Sequence, residues 1–315
     1  MIGLDARIYS KVFLDEIKKH LNSFEKNITY PKFVFLCGKA YKKDSDRKIY
    51  YSTNRGLIDN FLCAKSSNIF IVLSEELWEE SFNSKIDLLT FEEFLAEVSD
   101  CIILFVESPG TFSELGAFAY ADQLFGEKLI VIVDKKYEND KSFIITGPVA
   151  KAKKDKAVVI YASIEDGAVM ASNELRQVIE QRIAEYSSGY AVVNRRSPNT
   201  DRDKVLLSSF IIELLELIYF LQPINRRDLI EIYKYLKGFE SFKFVKKDNT
   251  AFHDEIKYDY ILKLLANVHL ITIKDEIIET DRYSINGDLF LKYGEKLMSK
   301  ERNRLLSRKY KYKEI

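Results

Sequence analysis

Ser99–Ala121 reads SDCIILFVESPGTFSELGAFAYA. Its first part, Cys101–Phe105 (CIILF), is continuously apolar and β-branched or aromatic, as a strand buried on both faces of a sheet requires. Ser108, Pro109 and Gly110 then mark a loop, and a helix is expected to open near Thr111 and run to about residue 125. A strand that feeds a helix through a tight loop is half of a parallel βαβ unit.

The same grammar extends in both directions. Phe33–Leu36 (FVFL), Ile69–Leu73 (IFIVL), Leu129–Val133 (LIVIV) and Ala157–Tyr161 (AVVIY) are short apolar runs of the same kind. Helical patterns are expected around 46–65, 90–98 and 170–186. Alternation of this type implies an α/β fold, a doubly wound (Rossmann-like) parallel sheet, whose ligands bind beyond the carboxyl ends of the strands. The alternation ends after Tyr186. Ser187–Asp203 is polar, contains Gly189 and Pro198, and reads as a linker. Helices are then expected at about 205–221, 225–237 and 256–268, followed by a hairpin around the charged turn Lys274–Glu276 and a last helix from Gly287. Three helices and a hairpin is the order of a winged-helix-like domain. The expected layout is therefore 1–186, a linker 187–203, and a mainly helical domain 204–315.

Composition narrows the class. The 315 residues carry 48 basic and 48 acidic side chains and are 47% hydrophobic, which excludes a disordered chain and disfavours global attraction to nucleic acid. Three cysteines argue against a disulfide scaffold, and with only His20, His253 and His269 no metal-ligand spacing is present. The first thirty residues lack an apolar core of the signal-peptide kind, and Val205–Leu221 is short and holds Glu213 and Glu216. A cytoplasmic protein with no membrane span is expected.

The loop before Thr111 has two readings. A helix N-terminus at the mouth of a sheet favours bound phosphate, with Gly110 permitting close approach or a positive φ, and Glu114 stands on the first turn. Alternatively, Thr111-Phe112-Ser113-Glu114 is a T-x-x-E capping box, in which Glu114 only closes the helix end.

Beyond these local features, FLCG at Phe35–Gly38, Glu92 leading to Ser99-Asp100, ESPGTFSELGAF at Glu107–Phe118 and KSFIITGP at Lys141–Pro148 follow one another along the α/β half. In this order they resemble the nucleoside 2-deoxyribosyltransferase-like proteins, and within them the retron effectors of antiphage defence. The resemblance covers roughly residues 30–186. It implies that Glu114 is a nucleophile that attacks the anomeric carbon and forms a glycosyl-enzyme, as in retaining glycosidases. The transferases carry aspartate six residues before the nucleophile, where it helps to protonate the leaving base; here that position is Ser108, which is no general acid near neutral pH. Nicotinamide leaves NAD without needing a proton, so the resemblance points to NAD as a substrate rather than a bound cofactor.

The same resemblance implies supporting roles, each with a plainer alternative. Glu92 orients sugar hydroxyls or is a helix-face glutamate, and Asp100 contacts substrate or caps a turn. Gly38 admits the sugar or phosphate or simply turns the chain. Arg47 pairs with a diphosphate or lies on the surface. Glu107 points into the pocket or out to water. At the other end, residues 296–313 hold eight basic side chains against Glu301 alone, with Tyr310 and Tyr312 interleaved. Lys300, Arg302, Arg304, Arg308, Lys309 and Lys311 are candidate nucleic-acid contacts, or a solvated terminus. The retron resemblance implies a reverse transcriptase and its reverse-transcribed DNA/RNA as partners.

Charge is split along the chain. Residues 191–315 hold 24 basic and 19 acidic side chains, whereas Ser74–Asp100 has nine acids against Lys85. Self-association, acidic face to basic tail, is one expectation from this. The leading functional expectation is an effector toxin that hydrolyses NAD to nicotinamide and ADP-ribose. The alternatives are a glycosyl or ADP-ribosyl transferase acting on DNA or protein, and a non-enzymatic nucleotide-sensing DNA-binding regulator.

Overall fold

The structure is a computed structural model that describes residues 31–39, 53–66, 68–81, 86–121, 123–165, 168, 172–194, 204–246, 250–253 and 256–280, with 14–15 and 17–18. The chain divides into two compact units, Pro31–Ala191 and Val192–Ile315 together with Met1–Tyr30. Among the described residues no helix is long and apolar enough to cross a membrane.

In the first unit, β1 (Lys32–Cys37), β2 (Ile69–Val72), β3 (Cys101–Val106), β4 (Leu129–Asp134) and β5 (Val158–Ala162) form one parallel sheet in the order β2-β1-β3-β4-β5. Every expected strand is present, displaced by a residue or two at its ends. Val34, Leu36, Ile103, Phe105, Ile130 and Ile132 fill a core beneath α1 (Asn54–Lys65) and the helix after β5. On the alternate positions, Phe35 meets Phe118 edge to face at 6.1 Å. Both faces are covered, which is why the strands read as unbroken apolar runs rather than alternating ones.

The connecting helices are α1, α2 (Ser74–Ser81), α3 (Leu88–Val98), α4 (Pro109–Ala121), α5 (Gln123–Lys128), α6 (Ala150–Lys154) and α7 (Asn173–Asn194). A π-turn at Ile145–Val149, which contains Pro148, leads into α6. Strand order reverses between β1 and β3: the chain leaves β1 toward β2 on one side and returns to β3 on the other. The loops after β1 and β3 therefore diverge and open a crevice at the carboxyl ends.

Two expectations are corrected here. Helix α7 continues through Ser187 and Gly189 to Asn194, into the stretch read as a linker. A single glycine costs a helix only about 1 kcal/mol, too little to end it where Ala191, Val192 and Val193 follow. Helix α4 begins at Pro109 rather than near Thr111.

The second unit contains β6 (Lys204–Leu206), α8 (Leu207–Leu221), β7 (Ile224–Asn225), α9 (Arg226–Lys237), β8 (Lys243–Val245), α10 (Tyr258–Asn267), β9 (Ile271–Lys274) and β10 (Ile277–Thr280). Strands β7, β10 and β9 form an antiparallel sheet in that order, and β6 pairs with β8. The Asn225 side chain caps α9 by accepting from Arg227 N, and Gly238 closes it in the left-handed region at φ 75°. Asp275 and Glu276, both at positive φ, make the two-residue hairpin turn between β9 and β10.

Candidate active site

The crevice is built around the start of α4. Ser108 is its N-cap: Ser108 Oγ accepts from Thr111 N at 3.3 Å, and Phe112 N donates to Ser108 O at 3.0 Å. Thr111 Oγ1 returns the favour by accepting from Ser108 N at 2.9 Å and Glu107 N at 3.0 Å. Pro109 occupies the first helical position, where a missing N–H costs nothing. The cap is thus Ser108 with Thr111, and the T-x-x-E box starting at Thr111 does not form. Glu114 moves to the second turn and is released from capping. Gly110 has no positive φ, and a Cβ there would meet only Ser108 Oγ at 3.8 Å, so the local backbone does not demand glycine.

Glu114 faces inward. Its Oε2 is buried and accepts no hydrogen bond, and the Cys37 thiol at the end of β1 is a near neighbour of the carboxylate. Burial pushes the Glu114 carboxyl up, opposed by the Arg55 guanidinium, with Glu75 adding to the rise. Glu92, on α3, is 6% exposed. Burial first, then the Glu114 and Glu75 carboxylates, raise its carboxyl to about 8, against a hydrogen bond from Ser74. Three carboxyls from α2, α3 and α4 therefore converge on one small space.

Arg55 answers them. It lies in the first turn of α1, after the N-cap Thr53, and is 2% exposed. Nη1 lies 2.8 Å from Glu75 Oε1 and donates to Gly38 O at 3.3 Å, and Nη2 donates to Glu75 Oε2 at 3.2 Å. A Cβ on Gly38 would lie 2.7 Å from Arg55 Cδ and 3.2 Å from Glu107 Oε1. Gly38 thus leaves room for protein side chains as well as turning the strand. Overpacking of this kind costs about 1–3 kcal/mol, so Gly38→Ala is expected to lower the urea midpoint accordingly. Glu107 turns toward the crevice mouth, where its Oε1 accepts from Lys39 N at 2.8 Å and ties the two diverging loops together.

The structure gathers Glu114, Glu92, Ser108, Thr111, Gly38 and Glu107 around the crevice. Asp100 is elsewhere. Its Oδ2 accepts from Phe33 N and its N donates to Phe33 O, both at 2.8 Å, which pins the amino ends of β1 and β3 at the opposite edge of the sheet. Asp100 is therefore corrected to a strand-pairing residue; burial raises its carboxyl to about 6. Arg47 and the basic residues Lys300, Arg302, Arg304, Arg308, Lys309 and Lys311 lie outside the described residues.

Sequence reasoning missed Arg55, Glu75 and Cys37. One signal was available: Arg55 is a cation at a helix N-terminus, where the helix dipole favours acids.

The raised carboxyls have a consequence for stability. A buried carboxyl with an elevated pKa favours the folded state only while it is protonated. Its contribution is complete below the unfolded value of 4.5 and is lost as pH rises through about 8 for Glu92. Asp100 acts in the same direction, up to about 6. Urea denaturation between about pH 5 and pH 9 is expected to show falling stability, and Glu92→Gln to flatten the decline.

Residues 51–273 match the model of the family described as STM3845 retron effector protein. The chain is 29% identical over 256 residues to the Escherichia coli protein named "Retron Ec86 putative ribosyltransferase/DNA-binding protein", covering 76% of each chain. It is 27% identical over 281 residues to the Escherichia coli "Retron Ec73 putative ribosyltransferase/DNA-binding protein", covering 83% of this chain and 80% of that one. With the family model spanning most of its length, the chain belongs to the STM3845 retron effector family.

Proposed function

We propose that the Pro31–Ala191 unit breaks the N-glycosidic bond of a nucleotide and passes the sugar to an acceptor, with Glu114 as nucleophile. The observation that carries this reading is the Glu114 Oε2 atom: buried at the switch-point crevice, without a hydrogen-bond partner, on a carboxylate released from capping by Ser108 and Thr111. In the first step a Glu114 oxygen bonds to C1′ as the C1′–N bond breaks and the base departs with the electron pair. In the second, an acceptor oxygen or nitrogen bonds to C1′ and loses its proton to water, while the C1′–O bond to Glu114 breaks and returns its electron pair to the carboxylate.

Transfer to DNA or protein is the favoured outcome, because both Escherichia coli relatives are named for ribosyl transfer and DNA binding. Hydrolysis, with water as acceptor and NAD as substrate, is the second reading. It is favoured by Ser108, which offers its hydroxyl to the helix cap and supplies no acid to a leaving base. In either case the protein acts as a retron effector toxin in antiphage defence. The β7-β10-β9 sheet and the three helices α8, α9 and α10 support a winged-helix reading of the second unit, which would dock the effector on the retron's reverse transcriptase and its reverse-transcribed DNA/RNA.

Incubating the full chain with NAD, alone and with single-stranded DNA or candidate proteins, tests this. Base release accompanied by a mass gain on the acceptor supports transfer; release with free ADP-ribose supports hydrolysis. No base release from NAD or other nucleotides under any condition contradicts both.

A further inference from the structure

Lys141–Pro148 (KSFIITGP) has no role in the glycosidic chemistry, yet the fold sets it beside the crevice. The steps β2 to β3, β3 to β4 and β4 to β5 all cross the parallel sheet in one direction. Right-handed connections therefore place α3, then α4, then the π-turn with α6 in a row on one face. Helix α4 packs against α3 on one side and against the π-turn and α6 on the other. Both α4 and the π-turn start at the carboxyl ends of their strands, so Phe143, just ahead of the π-turn, stands at the crevice end of the sheet. Its ring is 80% exposed. The turn beneath it is well tied: Ser142 N donates to Asp140 Oδ1 at 3.2 Å, and Thr146 N and Oγ1 donate to Ser142 O at 3.0 and 2.9 Å. One side of the ring, Cδ2, Cε2 and Cζ, lies over Gly147, where an added Cβ would stand 3.5–3.7 Å from it. The rest of the apolar surface is left in water, and a ligand that covers it gains the corresponding burial.

We propose that Phe143 is a stacking platform for the second nucleobase of a dinucleotide substrate, the adenine in the case of NAD, whose other glycosidic bond lies at Glu114. This rests on the proposed glycosidic cleavage and narrows its substrate class. Three observations select this occupant. The ring is flat and open, and stacking of a base on an aromatic side chain needs only a π-face. It belongs to the element packed beside α4, about 8–10 Å away for neighbouring helices, so a ligand that reaches both Glu114 and Phe143 has to bridge the start of α4. The ribose–diphosphate–ribose link between two bases does so. Finally, the surroundings suit a small planar group rather than a macromolecule. Residues 134–143 hold three lysines against Asp134, Glu138 and Asp140, and Lys136 is paired with Asp134 at 2.9 Å. That balance offers a nucleic-acid strand and its row of phosphates no general attraction. Among the described residues, Phe143 is the one exposed large apolar side chain between β4 and β5, and the Tyr137 ring is already covered by Lys136 Nζ at 4.9 Å. A protein interface needs a broader apolar patch. Phe143 takes no part in breaking the bond; it selects which nucleotides are held at Glu114.

Calorimetric titration of the full chain with ADP-ribose tests the platform without turnover. Phe143→Leu keeps the apolar character but removes the π-face, and affinity is expected to fall about tenfold or more; Phe143→Trp keeps the π-face and the affinity. Because the ring is 80% exposed, both variants are expected to melt as the unmodified chain does. The indole introduced by Phe143→Trp is also expected to lose fluorescence when ADP-ribose binds. Where turnover is measurable, kcat/KM for NAD relative to nicotinamide mononucleotide, which lacks the second base, falls by the same factor in Phe143→Leu. ADP-ribose that binds Phe143→Leu as tightly as the unmodified chain, or that does not bind the unmodified chain, overturns the proposal. Weaker binding of single-stranded DNA or a changed oligomeric state in Phe143→Leu, with ADP-ribose affinity intact, also overturns it and gives the ring to a nucleic-acid strand or to a protein. Absence of base release from any nucleotide would overturn the proposed function instead, and the ADP-ribose titration would still decide the role of Phe143.

Discussion

Glu114→Gln is expected to reduce base release from the nucleotide substrate by about 10³-fold or more while the protein stays folded. The amide is nearly the same size as the carboxylate, but it has no charge to stabilise an oxocarbenium-like centre and is a poor nucleophile. The cap of α4 survives, because Ser108 and Thr111 make it without Glu114. Stability is expected to hold or rise. The substitution removes a carboxylate whose ionised form is disfavoured by burial and by Glu75, and whose Oε2 has no partner. Lost activity with an undiminished melting temperature separates a catalytic role from a structural one. A capping role would have given the reverse: a weakened helix and preserved turnover.

Phe210→Ala is expected to cost about 3–5 kcal/mol, the range for emptying an aromatic site in a core. Phe210 is fully buried on α8, with ring centroids 4.8 Å from Tyr233, 5.1 Å from Phe244, 5.5 Å from Phe242 and 6.2 Å from Tyr258. These rings come from α9, β8 and its approach, and α10, so one cavity loosens most of the second unit. The Tyr233 hydroxyl donates to Glu213 Oε2 at 2.8 Å, and Lys237 also meets Glu213, which ties α8 to α9 beside the cavity. The single tryptophan, Trp78, belongs to the first unit. Its fluorescence is expected to keep its urea midpoint in Phe210→Ala, while the far-ultraviolet dichroism gains an earlier transition. Coincident shifts of both signals would show that the two units unfold together.

Much of this architecture is legible from residue order. The strands of the first unit announce themselves because a parallel sheet covered on both faces requires unbroken apolar runs, and CIILF and LIVIV have no other comfortable use. The Asn225 cap of α9 is equally visible, since a short polar side chain before an amphipathic helix has a local physical role. Helix ends read less clearly. Thr111 and Glu114 satisfy a capping-box spacing, yet Ser108-Pro109 captures the helix start three residues earlier with an N-cap and a proline already set for the first turn. The end of α7 was obscured for a related reason, because Gly189 signals a break that its cost alone does not enforce.

The site divides along the same line. Glu114, Ser108 and Gly38 are close to β3 or β1 in sequence and are found from the loops that follow those strands. Arg55 and Glu75 reach the crevice through packing between helices, and a sequence window contains no sign of that meeting. Asp100 shows the opposite error. It stands beside the strand that leads to the site, but at its far end, about 20 Å away at the usual rise per strand residue. Adjacency in sequence there means separation in space.

The proposed transfer requires a covalent bond between Glu114 and the sugar. The most direct measurement is mass spectrometry of the protein after brief incubation with a nucleotide whose sugar carries fluorine at C2′, a substitution that slows release of a glycosyl-enzyme. The predicted result is a mass gain equal to the glycosyl group, mapped to the peptide that contains Glu114 and absent from Glu114→Gln. A label on a different residue, or base release by Glu114→Gln at the rate of the unmodified chain, would contradict it.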